Sequence, residues 1–481
     1  MAETPKGLPV VVDIGEASCK IGFAGDLQPR DTFPTIVGHE KYQSVMVDTS
    51  DRVRSAYVGN DAVAMRGVLK IVYPIQRGQI MDWNAFYEIL NHIFYNVLRM
   101  DMREHPVIYS EPILNPPNLR EHMGKVFFET YQMPSILIFP SAVMALVNAG
   151  LSTGMVVEIG EGSAFVVPIA DGEVLSYAVN RLPLGGMDVN ENLKNFLMQE
   201  GYSMNYSAAK EILRDIKERL CYVAEDIQTE SQNAYRMNIR RPYTLPDGTQ
   251  IEIGTSRFMA PEVLFAPGML GFNTMSIPQA IVDSLSKVPA EIKRALLGNI
   301  VLSGGSTKFP GFEKRLEREL EIYIPQLGPL PESRTVVQKA LSEYKPKMVS
   351  YDSAVNVNGT EDTCPNCGAN VDRSHERHCP ECGESLERIT IKPIAPKSSH
   401  DTPKFSEAEE FVDPEVQKTE SKSGIIRIIS SGDRSISVFR GASKLGAMSN
   451  VFESIKITKE KFEANHQVIN QSILKQIFMN I

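Results

Sequence analysis

Val11-Val-Asp-Ile-Gly-Glu-Ala-Ser-Cys-Lys20 and Val156-Val-Glu-Ile-Gly-Glu-Gly-Ser-Ala-Phe165 align without a gap, 145 residues apart. Each is an apolar run, an acid, a glycine, a second acid, and small residues that open another run. An apolar run broken by a glycine turn and then resumed predicts strand–turn–strand. Duplication of that unit implies two halves of like fold facing each other. Two short hairpin openings can also look alike by chance, so the rest of the chain must decide.

The turns themselves suggest chemistry. Glycine and small residues in a tight turn let backbone N–H groups converge on an anion. Gly15 with Ala17, and Gly160 with Gly162, provide two such turns. The acids before them, Asp13 and Glu158, suit Mg²⁺, an ion that keeps its waters and needs few protein oxygens. Lys20 lies one hairpin register beyond the first turn, within reach of a terminal phosphate as a point charge. Phe165 holds the equivalent place in the second, so the two sides differ chemically. A third turn, Gly304-Gly305, ends the apolar run Ile300-Val-Leu-Ser303 and precedes an amphipathic stretch from about Phe312, which fits close approach of a ligand. A helix is predicted from Ala208 to Ile227, with Ile212, Ile216, Leu220, Val223 and Ile227 as its apolar stripe. Arg214, Lys217 and Glu218 share one face of it, which in isolation is more simply a solvated face with an Arg–Glu pair.

Working outward, 481 residues are enough for roughly two to four domains. A net charge of −9 argues against a general nucleic-acid binder. The opening MAETPKGLPVVV has no basic segment followed by a long apolar run, so no signal peptide is expected. No stretch of about 20 apolar residues predicts a membrane span. Four of the six cysteines cluster and two, Cys19 and Cys221, stand alone. That is a metal site with two isolated thiols, the usage of a reducing compartment, and a cytoplasmic location is expected. Short apolar runs alternate with amphipathic stretches from Val10 to about Pro325, which predicts an α/β fold. From 326 to 423 proline, serine and charged residues take over, and the segment reads as an insertion of linker, small module and linker. Its module, at about 360–390, holds Cys364-Pro-Asn-Cys-Gly368 and Cys379-Pro-Glu-Cys-Gly383. Two sulfurs from each knuckle, Cys364 and Cys367 with Cys379 and Cys382, complete a closed tetrahedral Zn²⁺ site, with His375 and His378 left to the second shell or solvent. Strand-like patterning resumes at Gly424-Ile-Ile-Arg-Ile-Ile-Ser430. Ile469, Ile473, Ile477 and Ile481 predict a terminal helix packed on the body.

These residues resemble actin and the actin-related proteins. The likeness extends, in order, through Lys20-Ile-Gly-Phe-Ala-Gly-Asp26, Tyr57-Val-Gly59, Arg66-Gly-Val-Leu69, Tyr73-Pro-Ile75, Glu104-His-Pro-Val107, Arg214-Asp-Ile-Lys-Glu218, Leu220-Cys-Tyr-Val-Ala224, Leu245-Pro-Asp-Gly248 and Leu302-Ser-Gly-Gly305. It covers about 8–325 and 424–465. It implies a two-lobed fold related to sugar kinases and Hsp70-type ATPases, with ATP and Mg²⁺ in the cleft. The first lobe would take 1–148 and 436–481, the second 149–325 and 424–435. By position, the resemblance implies that Asp13, Gly15, Glu16 and Lys20 form one phosphate loop, and Glu158, Gly160, Glu161 and Gly162 the other. Gly186 would lie on the nucleotide-facing loop of the second half. Arg214, Lys217 and Glu218 would contact base and ribose, and Gly304, Gly305, Lys308 and Phe309 would close over them.

Departures from actin matter as much. Glu16 stands where actin has serine. A carboxylate about 4 Å from a phosphate charge costs on the order of 4 kcal/mol at an effective dielectric of about 20. Glu16 must therefore turn away, pair with a cation such as Lys20, or alter the Mg²⁺ shell. Glu158 and Glu161 replace aspartates. Ser141 and Phe165 stand at the places where actin positions its attacking water with glutamine and histidine, so binding is better supported than hydrolysis. The loop from about Glu40 to Ala56, with Val45-Met-Val47, resembles the actin loop that inserts into a neighbouring subunit. Three functions follow from the resemblance. One is an actin-related protein acting through nucleotide-linked conformation and other proteins, actin or actin-binding proteins among them, with weak hydrolysis. The others are a filament-forming cytoskeletal ATPase, separable by sedimentation, and a sugar-kinase-like enzyme, for which no base or small-molecule pocket is visible.

Overall fold

The computed structural model of the chain describes residues 7–41, 56–204, 209–236, 239–328, 330, 417–421 and 424–470. The paired cysteines, Val45-Met-Val47, and Ile473, Ile477 and Ile481 lie outside the described residues. Val10–Ile14 runs antiparallel to Ser18–Phe23 and parallel to Val107–Glu111. Ser135–Pro140 adds a third parallel strand, and Ile457–Thr458 closes that edge antiparallel. The second sheet repeats this order and sense. Gly154–Ile159 is antiparallel to Ala164–Ala170 and parallel to Ile300–Ser303, followed by parallel Arg427–Ser430 and antiparallel Gln417–Glu420. The duplication read from two hairpins therefore extends to the core of both sheets, as a two-lobed actin-like α/β fold requires.

The central strands read as unbroken apolar runs because helices cover both faces, the usual condition of parallel strands. Val10, Val11 and Val12 are all fully buried. One core fills the first lobe, from Phe23, Phe86 and Phe127, and another the second, from Leu193, Ile281 and Phe312. A third joins the lobes. There Val11, Leu137 and Phe139 of the first sheet and Val156, Val167 and Val301 of the second meet the helices Ser141–Asn148 and Ser437–Ala447. The helices cross so closely that a Cβ on Gly441 would lie 1.8 Å from the Met144 carbonyl oxygen.

Two expectations need correction. The helix expected from Ala208 to Ile227 spans Ala209–Leu220, and a separate helix begins at Ile227. Between them Arg257 takes the Leu220 carbonyl at 2.9 Å, and the Val223 N–H turns to the Pro310 carbonyl at 2.8 Å. Tertiary partners thus stop a helix that its apolar spacing alone would continue. The second concerns the segment expected as linker up to 423: within it Gln417–Glu420 is an edge strand on Arg427–Ser430. A strand of Gln, Lys, Thr and Glu carries no apolar signal, as edge strands often do not. Among the described residues, no helix is long and apolar enough to cross a membrane.

Candidate functional site

The two glycine turns close alike. The Gly15 N–H donates to the Ser18 carbonyl at 3.1 Å, and the Gly160 N–H to the Ser163 carbonyl at 3.0 Å. Asp13 stands opposite Lys20, and Glu158 opposite Phe165, in matching registers. Each acid also receives a serine: Asp13 from the neighbouring parallel strand Val107–Glu111, Glu158 from the first residue of the helix Ser141–Asn148, which follows a strand of the first sheet. Ser110 Oγ donates to Asp13 at 2.5 Å, and Ser141 Oγ donates to Glu158 at 2.7 Å. Lys20 Nζ lies 3.4 Å from Asp13. Burial pushes the Glu158 carboxyl up to about 7, against the pull of the Ser141 hydroxyl; the Asp13 charge raises it further and Lys20 opposes. Among the described residues no group of three or more His, Cys, Asp or Glu side chains could hold a metal ion. The donors Asp13 and Glu158 suit a cation that keeps its own water rather than a dehydrated one.

The third turn is fastened to the second. Ser306 Oγ donates to the Gly160 carbonyl at 2.9 Å. Gly304 has φ 85°, and a Cβ there would sit 2.3 Å from the Ile159 carbonyl oxygen. Buried Lys217 reaches the same point, donating to Glu161 Oε2 at 3.0 Å and the Gly186 carbonyl at 3.1 Å. The helix face thus divides: Lys217 points inward, while Arg214 pairs with Glu218 at 2.9 Å at the surface. Lys308 pairs with Asp433 at 2.9 Å. The side chains of Phe309 and Phe165 are taken into the second-lobe and interlobe cores.

Of the three courses open to Glu16, the structure takes the first. Its Oε2 turns from Lys20 and accepts the Gly78 N–H at 3.2 Å. The carboxylate then lies against Gly162, where a Cβ would come within 2.0 Å of Oε2. Burial raises its pKa; the Gly78 N–H opposes that, and the charge of Glu161 adds to it.

Sequence reasoning missed the hairpin that receives Glu16. Ile75–Gln76 and Gln79–Ile80 are joined by Arg77 and Gly78, both at positive φ. Arg77 Nη1 donates to the Gly162 carbonyl at 2.9 Å and the Pro183 carbonyl at 3.1 Å, and both Nη atoms hold Asp188 at 2.7 and 2.8 Å. This tip of the first lobe is pinned into the second. A two-residue turn ending in glycine between short β-prone pairs was the available signal. Two further contacts cross near the Ala209–Leu220 helix: Lys210 lies 3.3 Å from the Tyr73 ring centroid, and Arg66 lies 3.8 Å from Glu211. The lone thiols are inert, since burial pushes Cys19 and Cys221 each up to about 12.

Two sheets of like order, turns in matching register, and a third turn pinned to the second are the arrangement the sequence resemblance implied. The family model for actin matches residues 6–341, a span that contains all three turns. By that match over more than half of its length, the chain belongs to the actin family.

Proposed function

We propose that the cleft between the two turns binds an adenine nucleotide with Mg²⁺, entering as ATP, and that binding sets the relative position of the lobes. The observation that carries this reading is the repeated hairpin: two anion-suited turns from different sheets converge, with the third turn joined to them through Ser306 and Gly160. The backbone at Gly15, Glu16, Gly160, Glu161 and Gly162 would face phosphates, with Lys20 beside them. Asp13 and Glu158 would hold the water shell of Mg²⁺. The ion, when bound, would offset part of the phosphate charge. Arg214, Lys217 and Glu218, with Gly186, Gly304, Gly305, Lys308 and Phe309, would form the base and ribose end.

Slow hydrolysis fits the same residues. Ser141 is committed to Glu158, and Phe165 has no group that can orient water. An actin-family member that turns over slowly acts through conformation and protein partners. The segment between the lobes' shared body and the edge strand at Gln417, with its four paired cysteines, is where we place a zinc module and the partner contacts. Mg²⁺ and ATP together should raise the melting temperature, because a ligand that binds only the folded state stabilises it by mass action. Asp13→Ala should lose the Mg²⁺-dependent part of that rise. An unchanged melting temperature at millimolar ligand would sink the reading.

A further inference from the structure

The position of Glu16 extends the nucleotide reading, on which the following rests. The residue sits in the first turn, yet its carboxylate crosses to the second and lies on the Cα of Gly162, accepting the Gly78 N–H. A side chain of the first turn thus lies against the backbone of the second. Arg77 and Lys210 attract the Glu16 charge from nearby, but neither is bonded to it: Arg77 holds Asp188, and Lys210 lies over the Tyr73 ring, while Lys20 is at Asp13 and Lys217 at Glu161. Glu161, in the second turn, adds negative charge nearby.

A diphosphate and a triphosphate differ there by one phosphoryl group and about one more negative charge. A group entering between the turns must displace this carboxylate or remain beside it in a half-buried setting, where like charges are poorly screened. A serine in that place would offer a hydroxyl donor and no charge. The Gly78 N–H holds Glu16 against the second turn, so the penalty is built into the hairpin contact and does not depend on a free rotamer.

We propose that Glu16 makes the site select nucleotides by phosphate number, holding the diphosphate more tightly than the triphosphate. ATP enters at the high concentration of a cell, water slowly breaks its bond to the terminal phosphoryl group, inorganic phosphate leaves, and the ADP stays. The protein then rests in its ADP-bound form.

The test is equilibrium titration of the full chain with Mg-ADP and with a Mg-bound, non-hydrolysable ATP analogue, for wild type, Glu16→Ser and Glu16→Gln. Glutamine keeps the shape and can still accept the Gly78 N–H, so it isolates charge. Wild type should favour the diphosphate by about tenfold or more. In both variants the triphosphate should gain at least about tenfold relative to the diphosphate. Wild type that favours the triphosphate, or a ratio that the two variants leave in place, overturns the selection while the nucleotide site stands. No binding of either nucleotide to wild type overturns the site itself and the selection with it.

Discussion

Glu158 works against its own charge. It is a buried carboxyl with Asp13 nearby, and its pKa is raised from 4.5 to about 7. The native state therefore holds this proton more tightly than the unfolded chain does. Between about pH 4.5 and 7 the folded form binds more protons, so this group's contribution to stability falls as pH rises through that window. In protein free of Mg²⁺ and nucleotide, Glu158→Gln should flatten the pH dependence of denaturant unfolding over the window and be the more stable form at pH 8. Parallel curves for the two proteins would contradict the burial argument. Much at this scale was legible. The gapless alignment matched Asp13 to Glu158 and Lys20 to Phe165, and the two hairpins place these residues in like registers, because hairpin register follows directly from turn length. The direction of Glu16 was not legible, since it depends on Gly78, which is 62 residues away. Nor was Arg77, whose partners Gly162, Pro183 and Asp188 all come from the other lobe.

At the scale of elements, the two helices between the sheets carry the strongest constraint. Ser437–Ala447 passes Ser141–Asn148 with Gly441 against the Met144 backbone. Overpacking of a core ordinarily costs about 1–3 kcal/mol. Here the obstacle is a carbonyl, which cannot change rotamer, so Gly441→Ala should cost about 3 kcal/mol despite alanine's better helix propensity. Equilibrium unfolding would measure it, and a variant as stable as wild type would mean the helices separate freely. Strands with strong apolar runs were readable; the hairpin of Arg241–Thr244 and Gln250–Ile253 around Leu245-Pro-Asp-Gly248 showed in the sequence only as a likeness to actin, not as an element. The polar edge strand Gln417–Glu420 was not readable, because backbone pairing to Arg427–Ser430, which leaves no apolar pattern in the sequence, holds it there. The break after Leu220 was hidden for a related reason: Arg257 and Pro310, both distant in sequence, make it.

At the scale of the whole molecule, an actin-family body of two like lobes is interrupted by a long cysteine-bearing segment. A long excursion from the surface is tolerated by a fold, since closure entropy grows only slowly with loop length. The paired knuckles predict about one Zn²⁺ per chain in protein purified without chelator. Cys364→Ser should lose that zinc and keep the response to Mg²⁺ and ATP. Zinc-free wild type would refute the module, and loss of the nucleotide response would show that the module supports the body. The central claim is that one nucleotide is held jointly by both lobes, and amide hydrogen exchange tests it most directly. Adding Mg²⁺ and ATP should slow exchange together at residues 13–20, 158–165 and 304–309. Protection confined to one lobe, or absent from all three turns, would contradict it.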